Sequence, residues 1–286
     1  MMISNRYEFV MFFDVEMGNP NGDPDAANMP RVDPETGYGF VTDVCLKRKI
    51  RNYVQLVHEG EPGYDILIKP DKALNTVFAE AYDASGLERG QKGKKADDVS
   101  VARAYMCANY FDVRTFGAVM STGDDPCGIV RGPVQINFAR SISPIFTQDV
   151  SITRQARTTT ERQETGETEM GRKSVIPYAL YRAEGYVSAT LAQKSTGLTE
   201  EDLEILWEAI INMFEHDHSA ARGKMCMRKL YIFRHDHALG NCPAHLLFDR
   251  IQTEAINPMT PARNFRDYRI TVEGDIPAGV TLIERL

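Results

Sequence analysis

Tyr7, Phe9, Met11, Phe13 and Val15 alternate with Glu8, Val10, Phe12 and Asp14 near the start of the chain. A period of two with aromatic enrichment predicts a strand, and apolar residues on both of its faces predict a central one. The stretch that follows, residues 17–41, is dense in Pro, Gly, Asn and Asp and reads as a long loop insertion. Loops of that length are usually functional. Thr42 then stands where a helix N-cap belongs. Leu46, Ile50, Tyr53, Val54 and Val57 recur behind it at helical spacing and predict a helix of about 15 residues. Lys47, Arg48 and Arg51 fall on the adjoining arc.

Asp65–Lys69 (DILIK) predicts a short strand, and Leu74, Val77, Phe78, Ala81 and Tyr82 form the apolar face of a short helix. Ser85–Asp98 is a charged, Gly-rich loop, and Val101, Tyr105, Ala108 and Phe111 mark another helix. DVRTFGAVMS and GIVRGPVQINFARSISPI read as two strands around a TGDDPCG turn. In the second, Val134, Ile136 and Phe138 are expected on one face and Gln135, Asn137 and Ala139 on the other. Residues 147–173 are polar, charged and Thr-rich, with too few apolar side chains to join a core. They predict an exposed β-hairpin arm. Strand-like sequence resumes at Tyr186–Ala192. Thr199 with Asp202 forms a capping-box start, above an apolar stripe of Leu203, Leu206, Trp207, Ile210, Ile211 and Phe214. Lys229–Arg234, Leu246–Ile251, Tyr268–Val272 and Val280–Ile283 are short strand candidates. The order is α+β. It fits a split βαβ (ferredoxin-like) sheet with a protruding arm, or an unrelated α/β sandwich.

With 286 residues, 43% hydrophobic and 26% charged, the composition excludes wholesale disorder, collagen and coiled-coil arrays. We treat residues 1–286 as one domain carrying the two insertions. No apolar run approaches the roughly 18 residues of a membrane span, and the N-terminus lacks the order of a signal peptide. Five scattered cysteines, an odd number, point to reduced thiols in a cytoplasm. The net charge of −7 is matched by the seven acids between Thr199 and Asp217, a stretch with no Lys or Arg. The remainder is neutral with embedded basic clusters, which permits a nucleic-acid partner on one surface.

Three groups of side chains have chemistry to offer. Lys47, Arg48 and Arg51 crowd three cations onto one helix surface, an arrangement that an adjacent polyanion would favour. In the arm, Arg154, Arg157, Arg162, Arg172 and Lys173 sit among Thr and Gln, residue types that bind phosphate and sugar. Asp23, Asp25 and Asp33 in the long loop suit turn chemistry or the positioning of a metal for RNA cleavage. Five of the six histidines lie between His216 and His245, but their spacing matches no zinc pattern. No phosphate-binding Gly loop, dinucleotide fingerprint or nucleophile elbow is present.

Together, NPNGDPDAANMPRVDPETGYGFVTDVCLKRKIRNYV, RTFGAVMS, GPVQINFARSISPI, ITR and GRKSVIPYALYRAEGYVSATLA resemble the Cas7 family, the repeated backbone subunit of CRISPR Cascade, and within it the type I-C branch. The resemblance runs from the first strand to at least Ala192. It implies an RRM-like palm with a protruding thumb hairpin, built into a helical filament of identical subunits for antiviral defence. It implies no catalytic site and no cofactor. The partners it implies are CRISPR RNA, target DNA paired to the guide, further copies of the chain, and the Cas-five and large subunits. On this reading Arg31, Lys47, Arg48, Arg51 and Arg131 are RNA contacts of the palm, and Arg154, Arg157, Arg172 and Lys173 those of the thumb. Met170 is the apolar candidate for displacing a base. The alternative is a metal-dependent endoribonuclease of the type III backbone kind, working through Asp23, Asp25 or Asp33. The RRM aromatic signature is absent, so base stacking on the sheet is not expected, and recognition is of backbone and shape.

Overall fold

The computed structural model describes residues 1–90, 94–154 and 169–286. In chain order we label β1 (Tyr7–Gly18), β2 (Tyr38–Val41), α1 (Asp43–Val57), α2 (Leu74–Ala84), α3 (Ala96–Asn109), α4 (Phe111–Phe116), β3 (Gly117–Met120) and β4 (Gly128–Arg131). Then come β5 (Val134–Ile136), β6 (Ala139–Pro144), β7 (Gln148–Arg154), β8 (Glu169–Val187), α5 (Glu200–Asn212) and β9 (Lys224–His235). The chain closes with α6 (Ala244–Phe248), β10 (Ile251–Ala255), β11 (Tyr268–Val272) and β12 (Val280–Glu284).

An eight-stranded antiparallel sheet runs in the order β12-β9-β1-β8-β6-β2, with β5 and β7 also pairing to β8. β1 lies at its centre, and Tyr7 to Val15 are all buried. The alternation expected for β1 holds. Phe9, Met11, Phe13 and Val15 pack with Leu46, Ile50, Tyr53 and Val54 of α1 and with Leu203, Leu206, Trp207 and Ile210 of α5. Trp207 meets Phe9 edge-on at 5.2 Å between ring centroids. Val10 and Phe12 point the other way, into a second core with Tyr178, Leu180, Phe233, Leu247, Phe248 and Ile251. The C-terminal α6–β10–β11 segment thus covers much of the sheet face opposite the helices. A third core joins α2, α3, β3 and β4 through Val77, Phe78, Tyr82, Ala102, Met106 and Val130.

β1 carries two buried acids on its second face, and each is compensated as a buried charge must be. Glu8 is held by Arg6 and His235. Asp14 accepts from Tyr178 and from Arg228, both at 2.9 Å. Burial is the largest influence on the Asp14 carboxyl and raises its pKa, against those two donors.

Both caps form as read. The Thr42 hydroxyl accepts from the Cys45 amide, and Thr199 and Asp202 make a reciprocal capping box. Other expectations fail for local reasons. Asp65–Lys69 is not a strand: beyond one bridge at Asp65, its Leu67 and Ile68 amides donate to the Asp112 carboxylate at 2.8 and 3.2 Å. DVRTFGAVMS begins as the short helix α4, and only Gly117–Met120 is strand. In α3 the buried face is Ala102, Met106 and Cys107, with Val101 exposed. The chain breaks between β5 and β6, so Phe138 turns outward and Ala139 inward. Strand β8 runs without interruption from Glu169 to Val187, so no separate strand starts at Tyr186. Leu246 and Leu247 lie in α6, not in a strand.

Candidate nucleic-acid interface

The described part of residues 147–173 is a hairpin. β7 pairs with the start of β8, with Ser151 opposite Arg172 and Val150 opposite Lys173. A period of two sends Arg172 and Lys173 to opposite faces at the base of this arm. Arg172 is exposed, while Lys173 Nζ donates to the Ala220 carbonyl at 3.0 Å. Met170 is 75% exposed. Arg154 is the last described residue of β7, and Arg157 lies outside the described residues.

The arm base faces the long loop across a cleft of about 250 Å³, lined by Asn19, Asn28, Met29, Arg172, Lys173 and Ala221 among others. Asn19 fixes the near wall. Its amide donates to the Ala221 carbonyl at 2.9 Å and its side chain to the Asn28 carbonyl at 2.7 Å. Met17, Ala27 and Asn28 all have positive φ, at 49°, 51° and 60°. Left-handed backbone at such residues is strained and persists where its surroundings impose it, which is common at ligand sites.

Three more cations lie close behind the loop, each near an acid. Burial pushes the Cys45 thiol up, while Lys49, Arg222 and Arg31 all pull it down and Asp217 opposes them. Lys49 is buried against Asp217, which also pairs with Arg222. Arg31 Nη1 lies 3.5 Å from Asp23, and its Nε is buried with no partner among the described residues. Lys49 and Arg222 were missed in the sequence. Lys49 sits on the apolar face of α1, and Arg222 in a turn that only the fold carries to the loop. The one available signal was the isolated basic pair Arg222 and Lys224 after the acidic helix.

The basic arc of α1 has partners within the chain. Lys47 pairs with Asp43 at 2.9 Å. Arg51 donates to Asp112 at 2.8 Å and lies over the Phe116 ring, with its side chain 11% exposed. Arg48 is exposed and donates to the Ile68 carbonyl at 2.8 Å. Arg131 is exposed, with no side-chain partner among the described residues. Of the nine candidate cations, Arg172 and Lys173 line the loop–arm cleft, Arg31 lies in the long loop, and Lys47, Arg48 and Arg51 lie on α1; Arg131 ends β4, Arg154 ends β7, and Arg157 lies outside the described residues.

Two of the three loop acids, Asp23 and Asp33, do structural work. Asp23 caps a short turn by accepting from the Asp25 amide at 3.2 Å. Asp33 accepts from Thr36 Oγ1 at 2.6 Å and from the Glu35 amide, which hold its carboxyl below the usual range. His235 is buried between Glu8 and the Asn241 amide, and His216 lies against Tyr53. Among the described residues, no three His, Cys, Asp or Glu side chains are placed to hold a metal ion. No helix of the described chain is long and apolar enough to cross a membrane.

Known proteins place this geometry in context. A CRISPR-associated Cas7 protein of Haloferax volcanii is 29% identical over 269 residues, covering 84% of this chain and 73% of that one. A chain of a CRISPR RNA-guided surveillance complex, in a pre-nicking state, is similar over 80% of this chain and 78% of its own, at 14% identity and a TM-score of 0.49. A chain of the type III-B Cmr-beta complex bound to cognate target RNA is similar over 80% and 61%, at 10% identity and a TM-score of 0.42. The model of the family described as CRISPR-associated protein Cas7 matches residues 5–273. The chain belongs to the Cas7 family.

Proposed function

We propose that this chain is a non-catalytic, CRISPR RNA-binding backbone subunit of a type I-C Cascade. The observation that carries the reading is the cleft between arm and long loop. A cationic hairpin base, a strained Asn-rich loop and the turn at Ala221–Arg222 converge on one open groove. Arginine and lysine donors beside exposed amide groups suit a ribose-phosphate strand of any sequence.

On this reading the sheet with α1 and α5 is a ferredoxin-like palm, and the hairpin is its thumb. Two βαβ crossovers support that assignment. β1–α1–β6 and β8–α5–β9 interleave in one antiparallel sheet, and both helices lie on the same face. Copies of the chain line up along the guide in the cytoplasm, beside the Cas-five and large subunits, and the guide pairs with target DNA. Met170, exposed near the start of β8, is the side chain we assign to displacing a base.

The test is expression with a CRISPR array and the partner subunits, followed by size-exclusion chromatography. Elution in a large particle with bound guide RNA supports the reading. A solitary, RNA-free chain overturns it. The endoribonuclease alternative is tested by incubating the assembled complex with complementary RNA and Mg²⁺. Regularly spaced cuts that vanish in Asp23→Ala, Asp25→Ala or Asp33→Ala would establish it.

A further inference from the structure

The C-terminal segment leaves one strip of the second sheet face open, at the β2 edge. The cross-strand register places Phe40 opposite Arg140, and Arg140 opposite Arg182, so the three share a face. Phe40 and Phe138 are parallel, 4° between planes and 6.2 Å between centroids. Arg140 lies over the Tyr38 ring at 4.7 Å. Phe138 is 56% exposed, a large apolar side chain in water with no core to serve. The three rings come from two separate sequence segments, and the turn between β5 and β6 is what swings Phe138 outward.

Behind Phe138 is a cleft of about 460 Å³ whose walls include Asn137, Arg182, Gln252 and Thr253. That volume lies in the range of small-molecule sites. Two buried donors there, Arg182 Nε and Thr253 Oγ1, have no partner among the described residues. Buried polar groups are nearly always bonded, so these two atoms mark the polar part of the recess wall. The rest of the Arg182 guanidinium is fixed by the Ile251 and Phe248 carbonyls at 2.7 and 2.8 Å and by Glu184 at 2.9 Å. The Gln252 side-chain amide donates to Asp249, which leaves its carbonyl oxygen free to accept.

An exposed aromatic platform, an arginine at its rim and a recess with hydrogen-bonding edges is how single-stranded nucleic acids are held by their bases. We propose that Phe138 and Phe40 form a seat for one unstacked nucleobase, with the base edge turned into the Asn137–Gln252–Thr253 recess and the neighbouring phosphate on Arg140. This rests on the RNA-binding reading and adds a base-contacting subsite to it, against the expectation, drawn from the missing RRM signature, that no base stacks on the sheet. Arg140 has Asp33 at 3.9 Å and Arg182 has Glu184. The seat therefore adds at most one phosphate contact, that of Arg140, to the salt dependence, a slope of about 0.7.

The experiment titrates the full chain with two single-stranded RNA 12-mers, one with all its bases and one abasic throughout. Wild type is expected to prefer the base-bearing oligomer by roughly fivefold, the low end of what one base on one ring contributes. Phe138→Ala removes that preference, Phe138→Tyr restores it, and Arg172→Ala weakens both oligomers alike. A 2-aminopurine base reports the seat directly, its fluorescence being quenched by wild type and not by Phe138→Ala. Phe138→Ala that keeps the preference and the quenching overturns the seat and leaves the arm cleft standing. Wild type that binds neither oligomer overturns the RNA-binding reading, and the seat with it.

Discussion

Arg51→Ala separates a structural cation from an RNA contact. Arg51 Nε donates at 2.8 Å to Asp112, whose carboxylate is 1% exposed and also accepts from the Leu67 and Ile68 amides. Removing the guanidinium leaves a buried negative charge with two amide donors. Breaking a buried pair typically costs about 3–5 kcal/mol. The remaining amides place this case near the lower end, about 3 kcal/mol, because each charge-assisted bond retained contributes about 1.5–3 kcal/mol. Arg48→Ala, one helical turn earlier and exposed, should change stability by less than about 0.5 kcal/mol. Urea denaturation of the two variants reads the difference, with unchanged m-values showing that the comparison is of like states. If Arg51→Ala lost less than about 1 kcal/mol and bound single-stranded RNA markedly more weakly, Arg51 would be a nucleic-acid contact and the argument would be wrong.

Three further outcomes follow from the same geometry. A Cβ on Gly18 would stand 1.9 Å from the Arg222 carbonyl oxygen and 2.8 Å from the Gly223 nitrogen. Gly18→Ala should therefore displace the turn that anchors Lys173 and cost about 1–3 kcal/mol, and an unchanged denaturation midpoint would refute it. Burial, and then the Asp125 charge, push the Cys127 thiol to about 12. Maleimide at pH 8 should therefore spare Cys127 in the folded protein and modify it in urea, as peptide mass spectrometry would read; rapid labelling of the folded form contradicts this. Burial works against ionisation of Asp125, but the Gly90 amide, Lys94 and Arg89 outweigh it and lower its pKa. Its contribution to stability is present above the unfolded value near 3.8 and is lost as pH falls through the lower folded value. Asp125→Asn should flatten the stability profile in that acid window, and a parallel profile would count against the pairing.

Local signals carried the elements whose fate is decided locally. The two-faced alternation of β1, the Thr42 cap and the Thr199–Asp202 box were legible because each depends on neighbours a few residues away. The arm was legible in its polarity, and its described strands pair as a hairpin. What failed was set by distant partners. Nothing in DILIK announces that the Asp112 carboxylate, 45 residues on from Leu67, will take its amides in place of a neighbouring strand. The same carboxylate, 61 residues from Arg51, engages that side chain, so a cluster read as an exposed cationic arc became partly internal. Phe138 was placed on the face of Val134 and Ile136 by a period that the β5–β6 break interrupts. The convergence of Asn19, Ala221 and Lys173 is tertiary throughout, and only basic character hinted at its parts.

The central claim is that cations at the base of the arm grip a ribose-phosphate strand. The direct measurement is the dependence of single-stranded RNA affinity on salt, for wild type and for the Arg172→Ala/Lys173→Ala double variant. Each neutralised phosphate contributes a slope of about 0.7 on logarithmic axes, so the double variant should have a slope shallower by about 1.4 and weaker binding at low salt. Identical slopes for the two proteins would show that the strand runs elsewhere.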